Sequence, residues 1–423
     1  MNNFNPTFCL FLILLIQACA SAPEEKKPDR ENDVLSINRE ELADKVKGML
    51  VGSAIGDAMG APTEMWSREA IQMEYGWVEN LDSMVREVSP EGIWKVNLPA
   101  GGTTDDTRWK KLMFEYLEEQ DEFDLNPREF SLHIVREYEQ YFQDFKSLKP
   151  EEMEALEFAN LRVLWLQEWY KVSLPIGEND LMAYQRALGK FYGGEMVCAG
   201  LLYSPAIGIR YPGQPEKAYE QAYHLSLYDI GYAKDISALS AAMTASAMTA
   251  NGDKMKLLDV LRSVDPESFF KSRLVGRSSY RALQTALSIA EEVNTGRSTE
   301  KEFSAAGSST ENAMKRAFTL LDQHLQDMPF HAGEIHLQVL TAMLVSDFDF
   351  QDSLTFLVNY GRDNDTTAAI LGAILGAFHG YEKLPDAMKN QVLTVNKNVL
   401  DIDLNELAKK QTAHIQSLYA WPD

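Results

Sequence analysis

The sequence contains few cysteines and comparatively few basic residues, and both shortages restrict the classes of protein it can represent. Three cysteines occur in 423 residues, at positions 9, 19 and 198. If the first is removed with a leader and the second is modified, Cys198 remains alone and no intramolecular disulfide can form. Lys and Arg total 40 against 63 Asp and Glu, a formal net charge of −23. Because a phosphate-binding face needs Lys and Arg, this balance argues against nucleic acid as a partner.

The apolar run near the N-terminus is too short for a comfortable membrane span. It covers residues 8–16, whereas a spanning helix needs about 20 residues, and its size is typical of the apolar region of an export signal. Residues 1–18 are therefore predicted to be a lipoprotein signal peptide. The segment Ile16-Gln17-Ala18-Cys19 resembles a bacterial lipobox, which makes Cys19 the predicted lipidation site. A buried N-terminal helix or an uncleaved anchor is the alternative.

The rest of the chain divides into a tether and one large domain. Residues 19–38 are charged and contain prolines, which indicates a flexible tether. More than one acyl chain on Cys19 would hold the protein to a membrane. We therefore expect it at the bacterial cell envelope, periplasmic or surface-facing, with the lipid as its membrane contact. Residues 39–423 show helical periodicity and few strand signals, which predicts an all-α domain.

Two clusters of carboxylates and hydroxyls stand far apart in the sequence. Residues 103–107 read Thr-Thr-Asp-Asp-Thr, and residues 361–367 read Gly-Arg-Asp-Asn-Asp-Thr-Thr. Each cluster alone is equally consistent with a well-capped helix start. Together they offer four carboxylates and several hydroxyls, hard oxygen ligands that suit Mg²⁺, Mn²⁺ or Ca²⁺. Converging carboxylates repel one another unless cations lie between them, so a two-metal site is predicted.

Glycines recur at every fourth position in two apolar segments. They occupy positions 48, 52, 56 and 60, and again positions 372, 376 and 380. On a helix this spacing forms a bare stripe. Since each interior glycine costs about 1 kcal/mol relative to alanine, a close approach of two backbones is expected to offset the cost. We predict that the two helices pack tightly together and bring Glu64 near Asp363 and Asp365.

These segments together resemble the ADP-ribosylglycohydrolase family, which includes dinitrogenase reductase-activating glycohydrolase and the ADP-ribosyl-arginine hydrolases. The resemblance rests on residues 52–64, 102–107 and 361–380, in that order. It implies one large orthogonal all-α domain with a di-metal site between helix N-termini, holding two Mg²⁺ ions with Mn²⁺ as an alternative. Glu64 would lie beside the metals and take part in catalysis. The metal ligands implied are Thr104, Asp105, Asp106, Asp363, Asp365 and Thr366.

The mid-chain segments match the family less closely. Some members use a further mid-chain aspartate as a base, for which Asp144 and its neighbours are candidates that no motif anchors. A loop with glycines and a tyrosine is present, and Tyr192, Gly193 and Gly194 could cradle a phosphate-ribose group through backbone N–H groups. The Asn-Gly-x-Ala-Met-Arg segment that members often carry lacks its Asn and Arg here.

The expected activity is Mg²⁺-dependent hydrolysis of a glycosidic bond in an ADP-ribose-like group. The expected partner is an ADP-ribose-like small molecule or an ADP-ribosylated substrate. Two alternatives remain open. One is a tethered protein that binds a nucleotide sugar or ADP-ribose without turnover, and the other is a hydrolase of a different N- or O-glycoside.

Three local features complete the expectations. Thr103 and Asp106 have the spacing of a helix-capping box. Residues 295–312, with two glycines and four serines, predict a mobile loop or a lid. Cys198 lies in an apolar stretch, which favours a core residue over a nucleophile.

Overall fold

A computed structural model describes residue 35 and residues 37–300 and 309–421. The predicted signal peptide, Cys19 and nearly all of the predicted tether lie outside these residues. Within them the backbone forms helices and connecting segments without a β-strand, and two isolated antiparallel bridges are the remaining pairings. The predicted all-α fold is confirmed. No helix in this part of the chain has both the length and the apolar character needed to cross a membrane.

The described residues contain 17 α-helices. In chain order they are α1 (Arg39–Gly60), α2 (Arg68–Glu74), α3 (Asp105–Glu118), α4 (Pro127–Ser147), α5 (Met153–Gly177), α6 (Leu181–Leu188), α7 (Ser204–Gly208), α8 (Pro215–Leu225), α9 (Ala233–Met248), α10 (Lys254–Ser263), α11 (Ser278–Glu300), α12 (Ser309–Leu321), α13 (Ala332–Val345), α14 (Phe350–Tyr360), α15 (Asn364–His379), α16 (Asp386–Val399) and α17 (Leu404–Leu418).

Helices α1 and α15 form the centre of the molecule and touch through their backbones. A Cβ atom built on Gly52 would lie 2.3 Å from the carbonyl oxygen of Gly372, and one on Gly48 would lie 2.3 Å from that of Gly376. The pairing runs antiparallel, since the earlier glycine of α1 meets the later glycine of α15. The predicted tight packing is confirmed. It places the C-terminal end of α1 beside the N-terminal end of α15.

The remaining helices enclose this pair. Helices α3, α16 and α17 pack on α1, while α9, α13 and α14 pack on α15. Helix α15 is apolar and almost wholly buried, and α1 is buried throughout from Gly48 to Gly60. On one side, an aromatic cluster joins α3 to α5, where the ring of Trp109 lies 5.2 Å from that of Trp165 and 4.0 Å from that of Trp169, between centroids. These tryptophans belong to the core.

Two local predictions are wrong. Helix α3 begins at Asp105 with Thr104 as its N-cap and no local side-chain cap, and Thr103 donates its hydroxyl to Asn396 Oδ1 at 2.5 Å instead. The capping box fails because a distant carboxylate occupies that position. The loop expected over residues 295–312 is wrong at both ends, since α11 continues to Glu300. Helix α12 includes residues 309–312, and residues 301–308 lie outside the described part.

The backbone contact predicts a severe effect of a side chain at Gly376. Its Cβ would lie 2.1 Å from the carbonyl oxygen of Gly48, an atom that cannot move aside. We expect Gly376→Leu to lower the free energy of unfolding by at least about 3 kcal/mol, because overpacking a rigid core forces the backbone apart. The same side chain at exposed Ala413 on α17 should change it by less than about 0.5 kcal/mol. Urea denaturation of both variants measures the difference, and equal stabilities would contradict the close packing.

Candidate metal centre

A buried aspartate near the end of α1 organises the start of α3. One carboxylate oxygen of Asp57 accepts from Thr104 N and Thr104 Oγ1, both at 2.9 Å. The other accepts from Thr107 N at 3.0 Å and from Thr107 Oγ1 at 2.6 Å. Asp57 thus caps α3 from another helix and orients Asp105 and Asp106 in its first turn. Sequence analysis did not single out Asp57. The feature that could have identified it is that it is the one acidic residue in the apolar segment 48–60, where every fourth residue is glycine.

The two acidic clusters meet at the N-termini of α3 and α15. Thr366 Oγ1 donates to Asp106 Oδ2 at 3.0 Å, across 260 positions of sequence. Thr104 Oγ1 lies 3.3 Å from Asp365 Oδ2. Hydroxyl and carboxylate groups from both helix starts therefore form one connected network.

Glu64 joins the second cluster. Carboxylate oxygens of Glu64, Asp363 and Asp365 lie within 4.8 Å of one another, close enough to share one cation. Arg86 holds Glu64 in place, because its NH1 group donates to Glu64 Oε2 at 2.7 Å and to the Ala61 carbonyl at 2.8 Å. The proximity expected from the glycine spacing is present.

A lysine neutralises one of the acids. Lys110 Nζ lies 3.1 Å from Asp106 Oδ1, and both side chains are fully buried, with 0% and 1% exposed. The pair occupies positions one helical turn apart on α3. This internal cation was missed by sequence analysis, because an i, i+4 Asp and Lys on a helix usually indicates a solvated face.

Burial and mutual repulsion leave the other acids short of positive charge. Removal from water, followed by the charges of Glu64 and Asp106, raises the pKa of Asp363 to about 8. Burial and the same kind of repulsion raise the pKa of Asp365 well above its ordinary value. Burial also raises the pKa of Asp105 well above its ordinary value, against the opposing charge of Arg108. A divalent cation would supply the missing charge, and the oxygen-only donors fit a hard ion such as Mg²⁺.

The carboxylates open onto a cleft with a volume of about 90 Å³. The other side chains that line it are largely aromatic and apolar. Tyr192 lies there in a left-handed conformation with φ 46°, and its hydroxyl donates to Glu91 Oε1 at 2.8 Å. The residues that line the cleft are Glu64, Met65, Glu91, Asp105, Trp169, Tyr192, Val197, Cys198, Ala199, Leu202, Phe330, Asp363, Asp365 and Thr366.

The remaining candidates take different places. Gly193 and Gly194 follow Tyr192 with positive φ angles of 72° and 84° but do not line the cleft. The N–H group of Gly193 already donates to the Lys190 carbonyl at 3.0 Å. Cys198 is buried, and its Sγ lies 3.9 Å from Asp363 Oδ2, so it forms part of the cleft wall.

No mid-chain aspartate of the described residues lines this cleft. Asp144 on α4 is exposed, accepts from Gln140 Nε2 at 2.8 Å and borders a separate groove beside Trp94 and Arg162. A further carboxylate that sequence analysis missed is Glu91, which lines the cleft. It lies in a connecting segment without a recognisable motif. Only the tertiary structure brings it within hydrogen-bonding distance of Tyr192.

Comparison with known proteins identifies the family. A family model described as ADP-ribosylglycohydrolase matches residues 38–419. The chain belongs to the ADP-ribosylglycohydrolase family. It is therefore an enzyme that hydrolyses a glycosidic bond, in a family that is generally metal-dependent and acts on ADP-ribosylated substrates.

Individual relatives are distant. A solved structure titled "ADP-ribosylglycohydrolase-related protein complex" is similar with a TM-score of 0.53 and 16% identity, over 89% of this chain and 99% of that one. At this identity the likeness supports the fold alone. Over 36 residues the chain is 42% identical to the "Uncharacterized protein YegU" of Escherichia coli (strain K12). That match spans 8% of this chain and 11% of the length of that protein.

The role of Asp57 in this glycohydrolase can be tested by Asp57→Asn. The amide would turn an N–H donor toward donors from Thr104 or Thr107, so we expect a loss of at least about 2 kcal/mol in the free energy of unfolding. The matched control is Asp253→Asn, at the exposed N-cap of α10, where asparagine also caps well and the change should stay below about 0.5 kcal/mol. Chemical denaturation measures both values. A stable Asp57→Asn variant would show that α3 does not depend on this cap.

The crowded acids also predict how stability depends on pH. The folded pKa of Asp363 is about 8 against an ordinary 3.8, so between these values the folded state holds more protons than the unfolded state. With chelator present, the free energy of unfolding should therefore fall as the pH rises from about 4 to about 8. Excess Mg²⁺ or the Asp363→Asn substitution should flatten this slope. Thermal melts across the pH range measure it, and a rising slope in chelator would contradict the electrostatics.

Proposed function

We propose that this glycohydrolase cleaves the glycosidic bond of an ADP-ribose-like group with the help of Mg²⁺. One observation carries the proposal: carboxylates from three chain segments converge in a cleft that aromatic side chains also line. Sugars commonly bind against such aromatic surfaces while charged groups act on the reacting bond. The aromatic wall consists mainly of Trp169, Tyr192 and Phe330.

Residues of both helix starts would hold the cations. We assign this role to Thr104, Asp105, Asp106, Asp363, Asp365 and Thr366, with two Mg²⁺ ions and Mn²⁺ as an alternative. When bound, these ions would supply positive charge that orients ribose hydroxyls and a water molecule. The oxygen-only donor set and the charge deficit of the buried acids support this assignment.

The chain's own side chains would orient the reactants. Arg86 fixes Glu64 through Oε2, which leaves Oε1 to bind or activate the water, or to position the ribose. Bond cleavage develops oxocarbenium-like positive charge, which the surrounding carboxylates would stabilise. Glu91 and Tyr192 also line the cleft, and the rest of the substrate would pass beside them.

The size of the cleft supports a sugar as the group that enters it. Its volume of about 90 Å³ is well below the roughly 300–1,000 Å³ that surround a drug-sized ligand. The ribose would occupy the cleft, and the phosphate and base would extend along the mouth beside Tyr192. We also propose that a lipid on Cys19 anchors the enzyme to the membrane, so that it acts at the bacterial envelope.

A substrate screen tests this function. Turnover with Mg²⁺ is measured on Arg-, Ser- and O-acetyl-linked ADP-ribose and on simple nucleosides, beside calorimetry with ADP-ribose. We expect hydrolysis of at least one ADP-ribosyl linkage. Binding without product would favour a nucleotide-sugar binding protein, and turnover of nucleosides alone would favour another glycoside as substrate.

The metal assignment predicts the effect of an Asp105→Ala/Asp363→Ala double variant. Loss of carboxylates from both clusters should reduce turnover by more than about 100-fold, since even residues that only support metal ligands contribute about 10- to 100-fold. The control is Asp144→Ala, an exposed aspartate in a separate groove, which should retain turnover. Full activity in the double variant would overturn the assignment, and loss in the control would make Asp144 a candidate base.

A further inference from the structure

We propose that Glu334 is a positioning residue of the metal centre. It fixes, through Arg362, the placement of Glu64 relative to Asp363. The inference rests on the proposed metal centre and adds a residue that is absent from the cluster of ligand-bearing side chains.

The segments that carry Glu64 and Asp363 are joined by two backbone hydrogen bonds. Met65 N donates to the Arg362 carbonyl at 2.7 Å, and Arg362 N donates to the Trp66 carbonyl at 3.1 Å. Met65 directly follows Glu64, and Arg362 directly precedes Asp363. The two bonds therefore fix the separation of the backbone segments that carry these carboxylates.

Both residues of this contact have an unfavourable backbone conformation. Met65 has φ 63° and Arg362 has φ 68°, in the left-handed region that is strained for a residue with a side chain. The preceding Gly361 has φ 86°, and a Cβ there would lie 2.7 Å from the Trp66 carbonyl oxygen. Such conformations persist only where surrounding contacts hold them.

Glu334 supplies that hold. Arg362 Nε and NH2 donate to its two carboxylate oxygens, each at 2.8 Å, and Arg362 NH2 also donates to the Gln326 carbonyl at 2.8 Å. Glu334 accepts further bonds from Gln326 N at 2.7 Å and from Gln338 Nε2 at 2.8 Å. Its side chain is only 3% exposed, against 25% for Arg362. A fork of this kind fixes both the position and the plane of the guanidinium.

The same helix start also holds the aromatic wall. Glu334 lies in the first turn of α13, and the preceding Phe330 lines the cleft. The Phe330 carbonyl accepts from Cys198 N at 3.1 Å, and Ala332 N donates to the Met196 carbonyl at 3.0 Å. The start of α13 thus contacts the aromatic part of the cleft lining. Through the buried carboxylate of Glu334 and its bonds to Arg362, it also contacts the segment that carries Asp363.

Metal affinity tests this role independently of turnover. Mn²⁺ is titrated into the full-length chain, with free Mn²⁺ followed by electron paramagnetic resonance, for wild type, Glu334→Gln and Arg362→Lys. We expect both variants to bind Mn²⁺ about 10- to 100-fold more weakly. Each should still unfold cooperatively, so that binding is compared between folded proteins. Arg362→Lys keeps the charge and loses the two-point contact, which makes it the milder variant if Glu334→Gln fails to fold.

The matched control is Asp235→Asn. Asp235 is also a fully buried carboxylate, and Arg277 Nε and NH2 donate to its two oxygens at 3.0 and 2.7 Å. This substitution should lower the melting temperature and leave the Mn²⁺ dissociation constant unchanged. Wild-type Mn²⁺ affinity in both Glu334→Gln and Arg362→Lys would overturn the role of Glu334. Absence of Mn²⁺ binding by the wild type would reject the metal centre itself, and this role with it.

Discussion

The contact between α1 and α15 is the constraint on which the rest of the structure depends. Glycines let the two backbones meet without intervening side chains, so the two helices cannot slide past each other without a clash. A Cβ on Gly56 would lie 2.0 Å from the Ala368 carbonyl oxygen, and one on Gly60 would lie 2.4 Å from Asp365 Cα. Because the pairing is antiparallel, the end of α1 and the start of α15 share one end of the molecule. The acidic groups on both are thereby brought together.

Placing so many acids in an apolar interior creates an electrostatic problem that the chain solves only in part. Lys110 pairs with Asp106, and Arg86 pairs with Glu64. Burial, followed by the charges of neighbouring carboxylates, still raises the pKa values of Asp363 and Asp365. We attribute this deficit to a site built for divalent cations. The same cations would give an acidic protein the local positive charge that a phosphate-bearing ligand requires.

Three residues with strained backbone conformations line or adjoin the cleft. Met65, Tyr192 and Arg362 all have positive φ angles, and Met65 and Tyr192 line the cleft while Arg362 adjoins Asp363. Strain of this kind is retained where the exact placement of a group matters more than stability. The ion pair of Glu334 and Arg362 holds the strained backbone that adjoins the carboxylates. Among the aromatic residues, the hydrogen bond that the Tyr192 hydroxyl donates to Glu91 holds Tyr192 in the same way.

The sequence by itself determined the helical class, the backbone contact and the acidic clusters, because period, glycine spacing and residue chemistry are local properties. Only the tertiary structure decided that Asp57 caps α3 in place of Thr103, that Lys110 is buried, and that Glu91 and Glu334 adjoin the site. Each of these depends on contact with a distant segment of the chain. Such contacts are set by how the helices pack, which no local pattern encodes.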